Sequence, residues 1–88
     1  MAESFLEDLQ RQGYAVHTWS NGPDFWYPVH DHPYSKVIVV LKGSVVFYMP
    51  GEKREVPLKA GQRLELAPHT EHSATVGPEG VTCLEGQR

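Results

Sequence analysis

After Gly13 the chain never runs far without a break: apolar, β-branched and aromatic runs of five or six residues follow one another to the end. They read "YAVHTW", "KVIVVL", "SVVFYM", "REVPL", "RLELA", "HSATV" and "VTCLE", parted by Asn21-Gly22-Pro23, Lys42-Gly43, Pro50-Gly51, Lys59-Ala60-Gly61, Gly77-Pro78 and Glu79-Gly80. Each run has strand composition and each break has turn chemistry. Seven short strands at this spacing predict an antiparallel sandwich or small barrel, because a parallel sheet needs crossover helices for which there is no room. Helical signals occur once, before Gly13. Ser4 and Glu7 form an S-x-x-E capping box, Phe5, Leu6 and Leu9 make an apolar stripe, and Gly13 is a stop. The chain therefore reads as all-β with one short N-terminal helix: a single domain over residues 1–88, with a helix in 1–13 and a β-barrel in 14–88.

A domain of 88 residues is too short for two cores and buries a modest share of its surface, so a metal or a partner subunit is expected to support it. Within "KVIVVL", Val37 to Leu41 are apolar at every position, where a half-exposed strand would alternate. Both faces of that strand call for a cover: the short helix, the opposite sheet or a second subunit. A homodimer is the expectation. Cys83 is the only cysteine, which excludes an intrachain disulfide and a Cys-rich zinc site and suits a reducing cytosol. Eleven acidic against eight basic residues, with no Lys/Arg cluster, argue against nucleic acid as a partner. "MAESFLEDLQRQG" lacks the charge pattern of a signal peptide, and no apolar stretch approaches the roughly 20 residues of a membrane span. The expected location is the cytoplasm.

The chemistry concentrates in "PVHDHPYSKVIVVLKG", Pro28 to Gly43. Residues two apart on an extended strand point to the same side, so His30 and His32 share a face at a spacing that suits two ligands of one ion. An H-x-H is equally what two polar residues on a wet strand face look like. His72, 40 residues downstream, would complete a three-imidazole set if the sandwich folded it over the first pair. Such a set suits one divalent transition metal: zinc, iron, nickel or copper. The lack of a carboxylate makes manganese less suitable and magnesium or calcium poor. His69 stands in a polar turn three residues before His72 and reads as a solvated loop residue, with a ligand contact as the functional alternative. His17 reads as structural or exposed, and Cys83 as a small buried apolar side chain. The aromatics are core material, but Trp26, Tyr27 and Tyr34 flank the histidines and are candidates to line a cavity for a small-molecule ligand.

These residues resemble the cupins. His30-x-His32, Lys36 and Gly43 are similar to the first cupin motif, His-x-His followed by a Glu and then a Gly. "LAPHTEHSA", within the stretch that begins at Gly61, is similar to the second, where a Pro-x-Gly turn precedes a third histidine, here His72. The resemblance runs from about Tyr14 to Leu84 and implies a jelly-roll β-barrel with His30, His32 and His72 on one metal. It departs at Lys36, where the family has a metal-binding Glu, at Ala67, where it has Pro, and at His69, where it has Gly. Lys36 has three readings: its head leaves the cavity on its long stem, it pairs with an acid such as Glu65 or Glu71, or it holds an anionic group of a substrate. The resemblance implies chemistry from sugar isomerisation to oxygen-dependent cleavage, and a three-His centre looks more like the dioxygenase members than the isomerases. A module that binds a sugar or an anion without turnover is the alternative.

Overall fold

The computed structural model describes residues 2–88. One helix, α1 (Ala2–Arg11), precedes six strands: β1 (Ala15–Asn21), β2 (Trp26–His30), β3 (Lys36–Met49), β4 (Arg54–Lys59), β5 (Arg63–Leu66) and β6 (His72–Gln87). Every pairing is antiparallel. Two long strands make the architecture. The first part of β3 pairs β5 and the second part pairs β4. The end of β6 pairs β1 and its beginning pairs β2. Since β3 and β6 also pair with each other along their length, they serve as the inner strands of two four-stranded layers that close into a barrel.

The crossing between layers corrects the expectation of seven strands. Lys42-Gly43 is not a turn: "KVIVVL" and "SVVFYM" are one strand with register shifts at Val40/Lys42 and Gly43/Val45. "HSATV" and "VTCLE" likewise join through Gly77 to Gly80. Gly43 and Gly80 both have φ of 79°, and a Cβ on Gly43 would strike the carbonyl oxygen of Gly80. Glycine is required there because the backbones touch as the strands bend, the usual role of a bulge at a barrel corner. Strand β2 was not among the seven runs, because Pro28 lies inside it. It pairs only with β6, and a proline without an N–H is tolerated on such an edge.

Helix α1 begins at Ala2, so Ser4 lies inside the first turn and does not cap it as the S-x-x-E signal suggested. Its end is as expected. Gly13 (φ 89°) donates to the Gln10 carbonyl and Tyr14 to that of Leu9, a Schellman motif whose apolar contact is Leu9 with Tyr14. The helix rests on the outer face of the layer, nearest β1 and β6: Leu9, Val37, Val39 and Leu84 pack there with Phe5, Leu6, Val16 and Leu41 at the margin. Each such side chain taken out of water contributes about 1.5–3 kcal/mol. Ile38 and Val40 point the other way, into a core with Phe47, Met49, Leu58, Leu64, Leu66, Val76, Val81 and Cys83. The apolar run that suggested a second subunit thus has both faces covered within one chain, by α1 outside and the facing layer inside.

Candidate metal centre

His30 ends β2, His72 opens β6, and the two are register partners, so the sheet itself sets them side by side. His32 lies beyond the end of β2, and its backbone carbonyl accepts a hydrogen bond from the His69 amide at 2.6 Å. That bond ties the loop after β2 to the turn before β6. The ring centroids stand 4.3 Å apart for His30 and His72, 4.9 Å for His30 and His32, and 5.5 Å for His32 and His72. One ring nitrogen from each lies within 4.8 Å of the others.

Their partners identify which nitrogen is available. His30 Nδ1 is 2.7 Å from the Pro28 carbonyl and His72 Nδ1 is 2.8 Å from that of Thr70. A carbonyl only accepts, so both Nδ1 atoms carry the proton and both Nε2 lone pairs are free. His32 Nε2 lies 2.9 Å from Lys36 Nζ, and an ammonium only donates. His32 is therefore the same tautomer, its Nδ1 donating to the Tyr34 hydroxyl at 3.2 Å, with the two rings stacked. Burial is the main cause that pushes the His32 and His72 pKa values down, with Lys36 and the neighbouring histidines adding to it. For these two rings burial favours the neutral form, the state a ligand needs.

Three clustered imidazoles with Nε2 left unprotonated, two oriented by backbone carbonyls and the third by Tyr34, fit a divalent transition ion. Tetrahedral ligands at about 2.0–2.1 Å would stand roughly 3.3 Å apart, so nitrogens within 4.8 Å of one another would draw in by up to about 1.5 Å. The Lys36 contact on His32 Nε2 must also open.

Beside the histidines lies an open cavity of about 190 Å³, lined by His17, Trp19, Tyr27, Lys36, Phe47 and Glu85, among others. That is below the usual range for drug-sized ligands, so it suits a small molecule. The acid partner of Lys36 is Glu85, at 3.4 Å, and not Glu65 or Glu71. Glu65 is exposed and pairs with Arg63, while Glu71 is exposed. Both side chains of the Lys36–Glu85 pair are about nine-tenths buried. Trp19 Nε1 donates to Glu85 at 3.1 Å and Gln87 Nε2 at 3.0 Å, and His17 Nε2 stands 3.5 Å away. These contacts fill nearly all of the carboxylate's acceptor sites.

Of the other candidates, Tyr27 lines the cavity, its hydroxyl bonded by the Asn21 amide and its pKa raised by burial, Cys83 and Glu85. Tyr34 stacks on His32. Trp26 is 61% exposed and lies off the cavity wall, since strand alternation turns it outward where Tyr27 turns in. His69 is exposed, with its Nδ1 3.4 Å from Asp31, and is not part of the histidine cluster. Glu85 and His17 carry the chemistry that the sequence reading did not assign. The alternation of "VTCLEGQ" is the signal that could have found Glu85, since it places Val81, Cys83, Glu85 and Gln87 on one face.

Known structures share this arrangement of strands. An RmlC-like cupin from Shewanella frigidimarina matches 84% of the chain at a TM-score of 0.73 and 22% identity. A protein with a double-stranded β-helix domain from Klebsiella pneumoniae matches 84% at 0.72 and 25% identity. A DMSP lyase from Ruegeria pomeroyi matches 85% at 0.78 and 21% identity. The chain has the cupin fold. It spans 64%, 65% and 38% of those three proteins. No family model matches this cupin-fold chain, and no curated protein does. Within this cupin-fold barrel the carboxylate nearest the histidines' side of β3 comes from the neighbouring strand, diagonally across the pair from Lys36, at Glu85.

Proposed function

We propose that this chain binds one divalent transition metal through Nε2 of His30, His32 and His72 and acts on a small anionic molecule held in the adjoining cavity. The observation that carries the reading is the cluster itself: one ring nitrogen from each of the three histidines lies within 4.8 Å of the others, and the hydrogen bonds of each ring leave its Nε2 unprotonated. Zinc, iron, nickel and copper suit such donors, manganese less so. A bound ion would supply Lewis-acid polarisation of a ligand oxygen. Three neutral imidazoles leave its charge uncompensated, and Glu85 is already committed to Lys36, so a negatively charged ligand balances the site. Lys36 and Tyr27 are its polar contacts on the cavity wall, Tyr34 acts only through His32, and Trp26 and His69 lie off that wall.

Oxygen-dependent cleavage of such a ligand is the turnover that this donor set favours, ahead of isomerisation. A structural neighbour that is a DMSP lyase and another that is a polyketide cyclase from Streptomyces resistomycificus are consistent with turnover on this fold. The second reading, binding without turnover, is favoured by one feature: with Glu85 saturated, no acid or base other than histidine faces the cavity unengaged. Elemental analysis of tag-free protein tests the metal, with about one ion per chain expected and none in His72→Ala. Oxygen uptake with small carboxylates then separates the two readings, since a module that only binds consumes none.

A symmetric dimer belongs to the same proposal. Phe25, Trp26 and Val29 are about half exposed or more, around the edge strand β2, where a second copy would cover them. Sedimentation showing only the single-chain mass at micromolar concentration would remove it. No helix among the described residues is long and apolar enough to cross a membrane. Buried, unpaired Cys83, its thiol pushed up to about 12 chiefly by burial, fits the reducing cytoplasm that the proposal assigns.

A further inference from the structure

The ammonium of Lys36 bridges two acceptors, His32 Nε2 at 2.9 Å and Glu85 Oε1 at 3.4 Å. The first of these is the nitrogen that a metal needs. Lys36 is buried at 8% exposure, on a strand whose neighbours hold it in place, so its head cannot simply retreat to water. The only carboxylate it pairs with among the described residues is Glu85. That carboxylate is itself fixed from two sides: Trp19 holds the oxygen that faces Lys36 and Gln87 holds the other. Its place comes from the register, in which Glu85 lies opposite Ile38 on β3 and His17 on β1, so it shares the inner face with Lys36 two residues away.

We infer that Glu85 is a positioning residue for metal binding: it is the docking point onto which Lys36 moves when His32 gives its lone pair to an ion. The inference rests on the metal reading above and adds the reason why a cupin-fold site with an ammonium in the glutamate's place can hold a cation at all. In this structure Lys36 contacts His32 and is shared with Glu85. In the loaded chain it belongs to Glu85 alone, and its charge beside the ion is offset by a carboxylate held at fixed distance. Without that carboxylate the ammonium has one partner, His32, and competes with the metal for it. Glu85 thus acts through Lys36 and need not touch the ion.

Calorimetric titration of Zn²⁺ into metal-free protein tests this with four chains: wild type, Glu85→Gln, Lys36→Met and the double variant. His72→Ala serves as the non-binding reference, and circular dichroism confirms that each is folded. Glu85→Gln is expected to bind at least tenfold more weakly than wild type, and Lys36→Met at least tenfold more tightly. In the Lys36→Met background the Glu85→Gln change should cost less than threefold, because no ammonium remains to be held. Equal losses in the two backgrounds would mean that Glu85 is only a distant negative charge, and an unchanged Glu85→Gln would remove it altogether. Either result overturns the inference while leaving the metal site intact. A wild type that takes up no Zn²⁺, iron, nickel or copper overturns the metal reading, and the inference with it. Should Glu85→Gln fail to fold, crystal structures of the wild type without and with Zn²⁺ decide the matter. Lys36 Nζ within hydrogen-bond distance of Glu85 alone in the loaded form supports the inference, and an ammonium swung out to solvent overturns it.

Discussion

The two faces of β3 do different work with neighbouring residues. Val37 and Val39 turn outward and pack in an apolar cluster with Leu9 and Leu84. Lys36, Ile38 and Val40 turn inward, and that face begins with a buried charge that contacts a histidine and a glutamate. The outer face is stabilised by area removed from water, which is tolerant of exact geometry. The inner face depends on complete satisfaction of its polar atoms, and among the described residues no buried side-chain nitrogen or oxygen lacks a partner. Stability is concentrated on one side of a single strand and specificity on the other.

That division can be broken most sharply from outside. Leu9→Ala, at 1% exposure the most buried helix side chain, should cost about 3–4 kcal/mol in urea unfolding and leave Zn²⁺ affinity per folded molecule unchanged. A matching loss of affinity would show that the faces are coupled. On the inner face, Lys36→Met leaves Glu85 buried without its cation and should destabilise the metal-free chain by about 3 kcal/mol, while Lys36→Met/Glu85→Leu recovers most of it. Acid gives a smaller, graded effect. The His32 and His72 pKa values are depressed on folding, so the unfolded chain binds protons first. Their contribution is complete above the unfolded value of about 6.5 and is lost as pH falls through the lower folded values. Thermal melts of metal-free protein should thus decline below about pH 6.5, and His72→Ala should flatten the slope. The smallest change is Tyr34→Phe, which removes the hydroxyl that His32 Nδ1 meets. It should weaken Zn²⁺ binding about tenfold or less, read by the same titration.

The outer face was legible in the sequence because burial on both sides of Val37 to Leu41 shows as an unbroken apolar run. The barrel was legible for a similar reason, since short strands leave few architectures. What covers the run was not legible, because a helix and a subunit impose the same demand on composition. Gly43 misled because a glycine at positive φ serves a hairpin and a bulge alike, and only the approach of Gly80, distant in sequence, decides between them. Pro28 hid β2 because its acceptability depends on the strand being an edge. His30, His32 and His72 could be proposed together since two share a strand-like spacing and the third stands in a familiar turn. Glu85 could not be matched to Lys36, because their meeting depends on the register of two strands 49 positions apart, and a one-residue slip would turn one of them outward.

Among the described residues β6 alone pairs with β1, β2 and β3. During synthesis it leaves the ribosome after the other five. Until residues 72–87 are free, β1 and β2 have no neighbour along their length, His30 has no His72, and Lys36 has no counter-charge. The nascent chain can form α1 and the local pairings of β3 with β4 and β5, but nothing that resembles the cavity. Assembly therefore waits for contacts that span most of the barrel, the circumstance that slows β-rich domains to milliseconds or longer, and the cavity with its histidines is the last part of this barrel to come into being.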